Sequence, residues 1–292
     1  MATDEPVGDN IKVPAPKTAI IVPTLGRRPQ YLRDCLSSIR QSGRVHIRLV
    51  APSTYQPSSE IRELCDDIVT DLGVGLANAI HSAITTLPTS IFYVNWLGDD
   101  DQLLPGGIET LEKGLEDGTE AVLAFGGCAY VDAAGRALFV NRSGAWASPL
   151  LSIGPQLVSQ PAVLLRRAMY ERVGGLDTSL RFAFDLDLLL KARRTGKLRH
   201  VDKVVAAYRW HPDALTVGGR RQSVTEASHV RKQHLPPVMR AVSILWEPLV
   251  RNAIFITGLA VTKRMVRRGT QSRSVIARST SYDESEADDR RP

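Results

Sequence analysis

"SIFYVNWLGDDDQLLPGG" runs from Ser90 to Gly107. Ser90–Leu97 is mostly apolar and short, which predicts a buried strand. Three aspartates, Asp99, Asp100 and Asp101, follow at its C-terminal end. Adjacent carboxylates repel one another, so packing gives no reason for the triplet, and a positive partner is expected beside it. Pro105 suits the first turn of a helix continuing through "PGGIETLEKGL".

The same strand-then-helix unit recurs outward from this point. "TAIIV" (Thr18–Val22) reads as a strand stopped by Pro23, and the helix after it places Leu32, Cys35, Leu36 and Ile39 on one face, with Gly43 as its stop. "VHIRLV" (Val45–Val50), a helix near Ser59–Cys65, the strand "DIVT" and a helix within Gly73–Leu87 come next. Glu120–Asp132 and "ALFV" read as strands around a turn. Beyond an irregular stretch at 141–160 lie a strand, a helix ended by Gly174 and Gly175, a helix from about Phe184 to Arg194, and a last strand near Val201–Tyr208. This alternation predicts an α/β fold built on a doubly wound, mostly parallel sheet. Such sheets bind ligands outside the C-terminal ends of their strands, where the triplet and Pro23–Arg28 both fall. The expected organisation is a disordered lead-in at 1–17, a catalytic domain at 18–222, a helical, basic, amphipathic extension at 223–268 and a disordered tail at 269–292.

Of the 292 residues, 37 are Lys or Arg and 31 are Asp or Glu, a net charge of +6 that favours anionic ligands without choosing among them. Cys35, Cys65 and Cys128 show no CxxC spacing, so neither a zinc site nor a disulfide framework is expected, and a reducing cytosol fits. The acidic, polar N-terminus does not read as a signal peptide. In the most apolar stretch, Ile244–Thr262, Glu247, Arg251 and Asn252 interrupt what a spanning helix needs.

Each candidate residue has a functional and a bland reading. Asp99 and Asp101 have D-x-D spacing suited to a hard divalent cation, Mg2+ or Mn2+, bridging to substrate phosphates. Alternatively the triplet is a solvated turn in which Asp100 or Asp101 caps the following helix. Asp185 and Asp187 project about 200° apart on a helix, so only one readily faces a given site. Asp187 lies four residues before Lys191, an ion-pair spacing that suggests a solvated face. Asp185 is then either a general base or a helix cap. His211, at the end of the last strand, is a metal ligand or a surface residue. Trp146 stacks on a sugar ring or packs in its loop. The run "KRMVRR" (Lys263–Arg268), with the stretch 244–268, is solvated basic surface or rests on an anionic membrane.

Four segments in order resemble family 2 glycosyltransferases: "IIVPTLGRRPQYLRDCLSSIRQSG", "FYVNWLGDDDQLLPGGIETL", "VSQPAVLLRRAMYERVGGLDTSLRFAFDLDLLLKA" and "AAYRWHPDALT". The resemblance covers about residues 18–217. It implies a GT-A fold and an inverting transfer from a nucleoside-diphosphate sugar with Mg2+ or Mn2+. Carried over, Asp101 would ligate the metal, with Asp99 and His211 beside it. Asp99 and Asp100 would contact the donor. Asp185 would be the base, Arg209 would face the phosphates, and Pro23, Thr24 and Arg27 would border the nucleotide. The expected acceptor is a glycan or lipid-linked glycan, and the expected location is the cytoplasm at the inner face of the plasma membrane, which the basic 244–268 stretch would suit; no basic–aromatic interleaving points to a nucleic acid partner. Two departures stand out: "LVAPSTYQP" carries no acid after the second strand, and Phe184 replaces the acidic neighbour of Asp185.

Two other classes compete. A sugar-1-phosphate nucleotidylyltransferase would share the sheet and the carboxylate-bound cation, but "PTLGRRPQ" is not its Gly-rich loop. A non-catalytic nucleotide-binding module, basic enough for nucleic acid, lacks basic–aromatic interleaving, and its clustered carboxylates would repel phosphates without a metal.

Overall fold

The computed structural model describes residues 15–210 and 219–268. His211, most of the 1–17 lead-in and the 269–292 tail lie outside the described residues.

Among the described residues, nine strands form one sheet. They are β1 (Thr18–Pro23), β2 (His46–Pro52), β3 (Asp67–Asp71), β4 (Tyr93–Trp96), β5 (Gln102–Leu103), β6 (Ala121–Val131), β7 (Ala137–Asn141), β8 (Val163–Arg166) and β9 (Lys197–Arg209). Their order is β3-β2-β1-β4-β8-β6-β9-β5, with β7 on β6. β1–β4, β6 and β9 point one way, while β5, β7 and β8 run against them. The sheet is therefore mixed and mostly parallel.

Helices cover both faces, as an all-buried parallel sheet requires. Alternate residues of β1 enter opposite cores: Ala19 and Ile21 join one cluster, Ile20 and Val22 the other. The first cluster takes α3 (Leu76–Thr85) and α7 (Phe184–Thr195); the second takes α1 (Pro29–Ser42) and α4 (Gly107–Glu116). α1 buries Leu32, Cys35, Leu36 and Ile39 completely, the face its spacing marks out. Each such aliphatic side chain contributes about 1.5–3 kcal/mol. The remaining helices are α2 (Ser59–Leu64), α5 (Ala147–Leu150), α6 (Arg167–Arg172), α8 (Arg220–His234) and α9 (Pro237–Arg268).

Local differences from the sequence reading have local causes. The fourth helix begins at Gly107, behind Gly106 in a left-handed conformation (φ 65°), so Pro105 precedes it and no aspartate caps it. The last strand starts earlier, at Lys197, because β6 offers a long parallel partner. β5 has only two residues, too few for any periodicity, yet it pairs with Ala206 and Ala207 of β9 and pins the turn after Asp101. The C-terminal helical stretch is two helices, parted at Leu235 and Pro236. Among the described residues no helix is long and apolar enough to cross a membrane.

Candidate active site

The triplet follows β4, whose four residues are all buried between β1 and β8. Its side chains turn inward. Thr24, one residue beyond β1, donates its hydroxyl to Asp99 Oδ2 at 2.6 Å. Arg28 spans two members: Nη2 donates to Asp99 Oδ1 at 2.8 Å and Nη1 to Asp100 Oδ2 at 2.7 Å. The positive partner called for by the sequence is thus, in part, a guanidinium held just before α1. Asp101 is buried, and its Oδ1 accepts the backbone N–H of Arg209 at 2.9 Å. Three strand ends therefore meet here, those of β1, β4 and β9.

A side chain at Gly98 would meet Asp100 Oδ1 at 2.8 Å and Asp101 Oδ2 at 3.0 Å. Those two oxygens overlie one small space above the glycine. Burial, then the charge of Asp100, holds Asp101 well above the usual carboxylate range. Burial also raises Asp99, and the bonds from Thr24 and Arg28 oppose the rise. Hard oxygen donors on one turn, crowded and partly protonation-prone, suit a Mg2+ or Mn2+ ion that takes one or two carboxylates plus substrate phosphates. Among the described residues no three His, Cys, Asp or Glu side chains converge as a ready-made ligand set. The oxygen pair above Gly98 is the part of the donor set that fits.

The other expected residues are distributed as follows. Pro23 is half-buried and Thr24 buried, both at this edge, while Arg27 is exposed and its neighbour Arg28 makes the contacts. Arg209 is buried, its Nε on the Asp100 carbonyl at 2.9 Å and its Nη1 on the Ala133 carbonyl at 2.9 Å. Its guanidinium lies 4.4 Å from the centre of the Tyr31 ring. It fastens the triplet's backbone. Trp146 opens α5 with 56% of its surface exposed, so it is not a core residue.

Asp185 occupies the first turn of α7, but Ala183 holds the cap position and no side chain of α7's own start caps the helix. Gln156 donates to Asp185 Oδ2 at 2.7 Å, and the Leu186 N–H reaches Oδ1 at 2.7 Å. Burial raises the Asp185 carboxyl, Gln156 and the backbone pull against it, and Glu226 adds to the rise. Trp96 of β4 packs on Phe184, ring centres 6.1 Å apart, which ties the triplet's strand to the start of α7. The start of α7, which bears Asp185, is thus packed on the strand that ends at the triplet. Burial raises the Tyr130 hydroxyl, with Cys128, Asp101 and Asp185 adding to the rise and a hydrogen bond with Ser159 opposing it.

Asp187 departs from the solvated reading. Its Oδ2 is 2.7 Å from Lys191 Nζ, the expected i,i+4 pair, but it is only 4% exposed and His234 Nε2 of α8 lies 2.8 Å from Oδ1. Glu226, also on α8, accepts the N–H groups of Phe182 and Ala183 at 2.7 Å each. Gln156, Glu226 and His234 carried no signal in the sequence. Arg28 sat one position from the arginine singled out.

No protein-family model and no curated protein sequence matches the chain. Solved structures do. S. aureus TarS 1-349 in complex with UDP-GlcNAc aligns with a TM-score of 0.59 at 14% identity, over 80% of this chain and 72% of that one. The mannosyltransferase PcManGT from Pyrobaculum calidifontis, in complex with GDP-Man and Mn2+, aligns with a TM-score of 0.55 at 14% identity, over 94% of this chain and 81% of its own. The fold is that of the GT-A glycosyltransferases. At such identities the likeness speaks for the fold alone.

Proposed function

We propose that the chain is a glycosyltransferase of the family 2 type. It would transfer a sugar from a nucleoside-diphosphate donor to an acceptor hydroxyl with inversion, the acceptor being a glycan or lipid-linked glycan on the cytoplasmic side of a membrane. The observation that carries this reading is a largely buried carboxylate cluster at the end of β4 together with a second carboxylate, Asp185, on the helix whose start packs on that strand. The structural neighbours were solved with UDP-GlcNAc and with GDP-Man and Mn2+, which supports a nucleotide sugar as donor.

The chain's residues divide the work. Asp185, set by Gln156 and raised by burial, suits a general base that takes the acceptor's proton, provided the hydroxyl comes within about 3 Å. Inversion follows because a single base-assisted displacement attacks the face opposite the leaving group. Asp100 and Asp101 would hold Mg2+ or Mn2+, which would offset charge on the departing diphosphate. Asp99, locked by Thr24 and Arg28, fixes the turn that aims the other two. Exposed Arg27 borders the same loop.

Asp101→Asn tests the assignment, because the amide oxygen can still accept the Arg209 N–H while the charge is lost. Thermal unfolding with UDP, GDP, dTDP and CDP, each with and without Mn2+, is expected to show one nucleotide that stabilises the wild type only with the ion. Asp101→Asn should fold but lose that stabilisation. An unchanged response would remove the triplet from the donor site.

A further inference from the structure

α9 is packed the wrong way round for a water-exposed helix. Its polar stripe faces the protein: Ser243 and Glu247 are 2% and 7% exposed, and Glu247 binds Ser228 and, at 3.2 Å, Lys232 of α8. Arg240 on the same stripe donates to the Gln233 carbonyl at 2.8 Å. The opposite stripe is apolar and bare, with Val238, Leu245, Leu249 and Ile256 at 77%, 76%, 71% and 64% exposure. Ile244 and Met239 widen it. Soluble proteins seldom leave a contiguous apolar strip of this kind uncovered.

The composition of the same helix says what covers it. The sequence from Ala253 to Val261 is apolar apart from Thr257 and Gly258, and Lys263, Arg264, Arg267 and Arg268 follow it. A second copy of the helix would cover one face and leave the rest; the heptad positions flanking a seam would also need charged residues to select it, and here they are Met239, Ala241, Trp246, Pro248, Ala253 and Phe255. A bilayer interface accepts a broad apolar face, and anionic headgroups complement a basic end. Arg251 and Asn252 lie in the middle of the helix, which favours lying along the surface over crossing it.

We infer that α9 docks the protein on an anionic membrane, with Val238, Leu245, Leu249 and Ile256 in the headgroup–acyl boundary and the 263–268 basic run on acidic headgroups. α8 bridges this helix to α7, so docking would set the membrane beside the helix bearing Asp185. The inference does not depend on the reaction proposed above.

Flotation of the full chain with phosphatidylcholine vesicles, with and without phosphatidylglycerol, tests it. The wild type should float with the phosphatidylglycerol vesicles. Leu245→Glu/Leu249→Glu should lose that partition at least about tenfold, and Lys263→Gln/Arg264→Gln/Arg267→Gln/Arg268→Gln should lose the phosphatidylglycerol-dependent part by at least about tenfold. The substituted leucines are exposed, so the urea midpoint and the circular dichroism spectrum should match the wild type and show that the variants fold. A wild type that stays at the bottom of the gradient with either vesicle overturns the inference. So does a lipid-free dimer, seen by sedimentation velocity, that Leu245→Glu/Leu249→Glu dissociates while flotation is unchanged.

Discussion

Glu226 Oε1 accepts the Ala183 N–H at 2.7 Å, so a side chain from α8 caps the helix that carries Asp185. α7 supplies no cap of its own. The carboxylate meets the unpaired N–H groups and positive dipole end of that helix, and Asp185 lies two residues past the cap, within the first turn.

Glu226→Ala should therefore destabilise the fold by roughly 0.5–2 kcal/mol, the ordinary worth of a cap. Turnover should fall more than donor binding, because the loosened turn displaces Asp185 and not the triplet. Urea unfolding and steady-state kinetics check this; a fall in donor affinity with turnover intact would contradict it.

Asp187 gives a stability profile with a definite sign. Burial alone would raise its carboxyl, but His234 and Lys191 outweigh burial and hold it below the ordinary value. A depressed folded-state value means stability that is present above the unfolded value, about 3.9, and is lost as the pH falls below it. Asp187→Asn should lower stability at neutral pH and flatten the acid limb of a stability curve. The measurement is the urea midpoint as a function of pH.

Gln156 lowers the Asp185 carboxyl by donating to it. Gln156→Leu should raise that group further and shift the acid limb of kcat/KM to higher pH, since a general base works only when deprotonated. Asp185→Asn should cut turnover by roughly 10²–10⁴ while nucleotide binding persists. An unmoved pH profile in Gln156→Leu would take Asp185 out of the base role.

Arg28→Met removes the guanidinium shared by Asp99 and Asp100. With the side chain about a third exposed (33%), the expected loss is at the low end of a charged hydrogen-bond pair, about 1–2 kcal/mol. Mn2+ should restore more stability to this variant than to the wild type, because the cation takes over the neutralisation. Equal Mn2+ responses in paired thermal melts would argue against a cation at the triplet.

Much of the scaffold can be read from the sequence because its signals are short-range. The period of α1 places Leu32, Leu36 and Ile39 in the core whatever lies opposite, and an apolar run bounded by Pro23 is a strand in any doubly wound sheet. The triplet at the end of β4 is equally legible, as is the i,i+4 pair of Asp187 and Lys191. What the triplet touches is not. Arg28 and Asp99 are 71 residues apart, and Asp101 and Arg209 are 108 apart. They meet only because β1, β4 and β9 end at one edge, an order fixed by which strands pair and by the packing of both faces. Periodicity reports which side of an element is apolar and carries no information about its neighbour. Hence the solvated reading of Asp187 failed when α8 brought His234 over it, and α9 shows its apolar face to the outside because its polar stripe found Ser228 and Lys232.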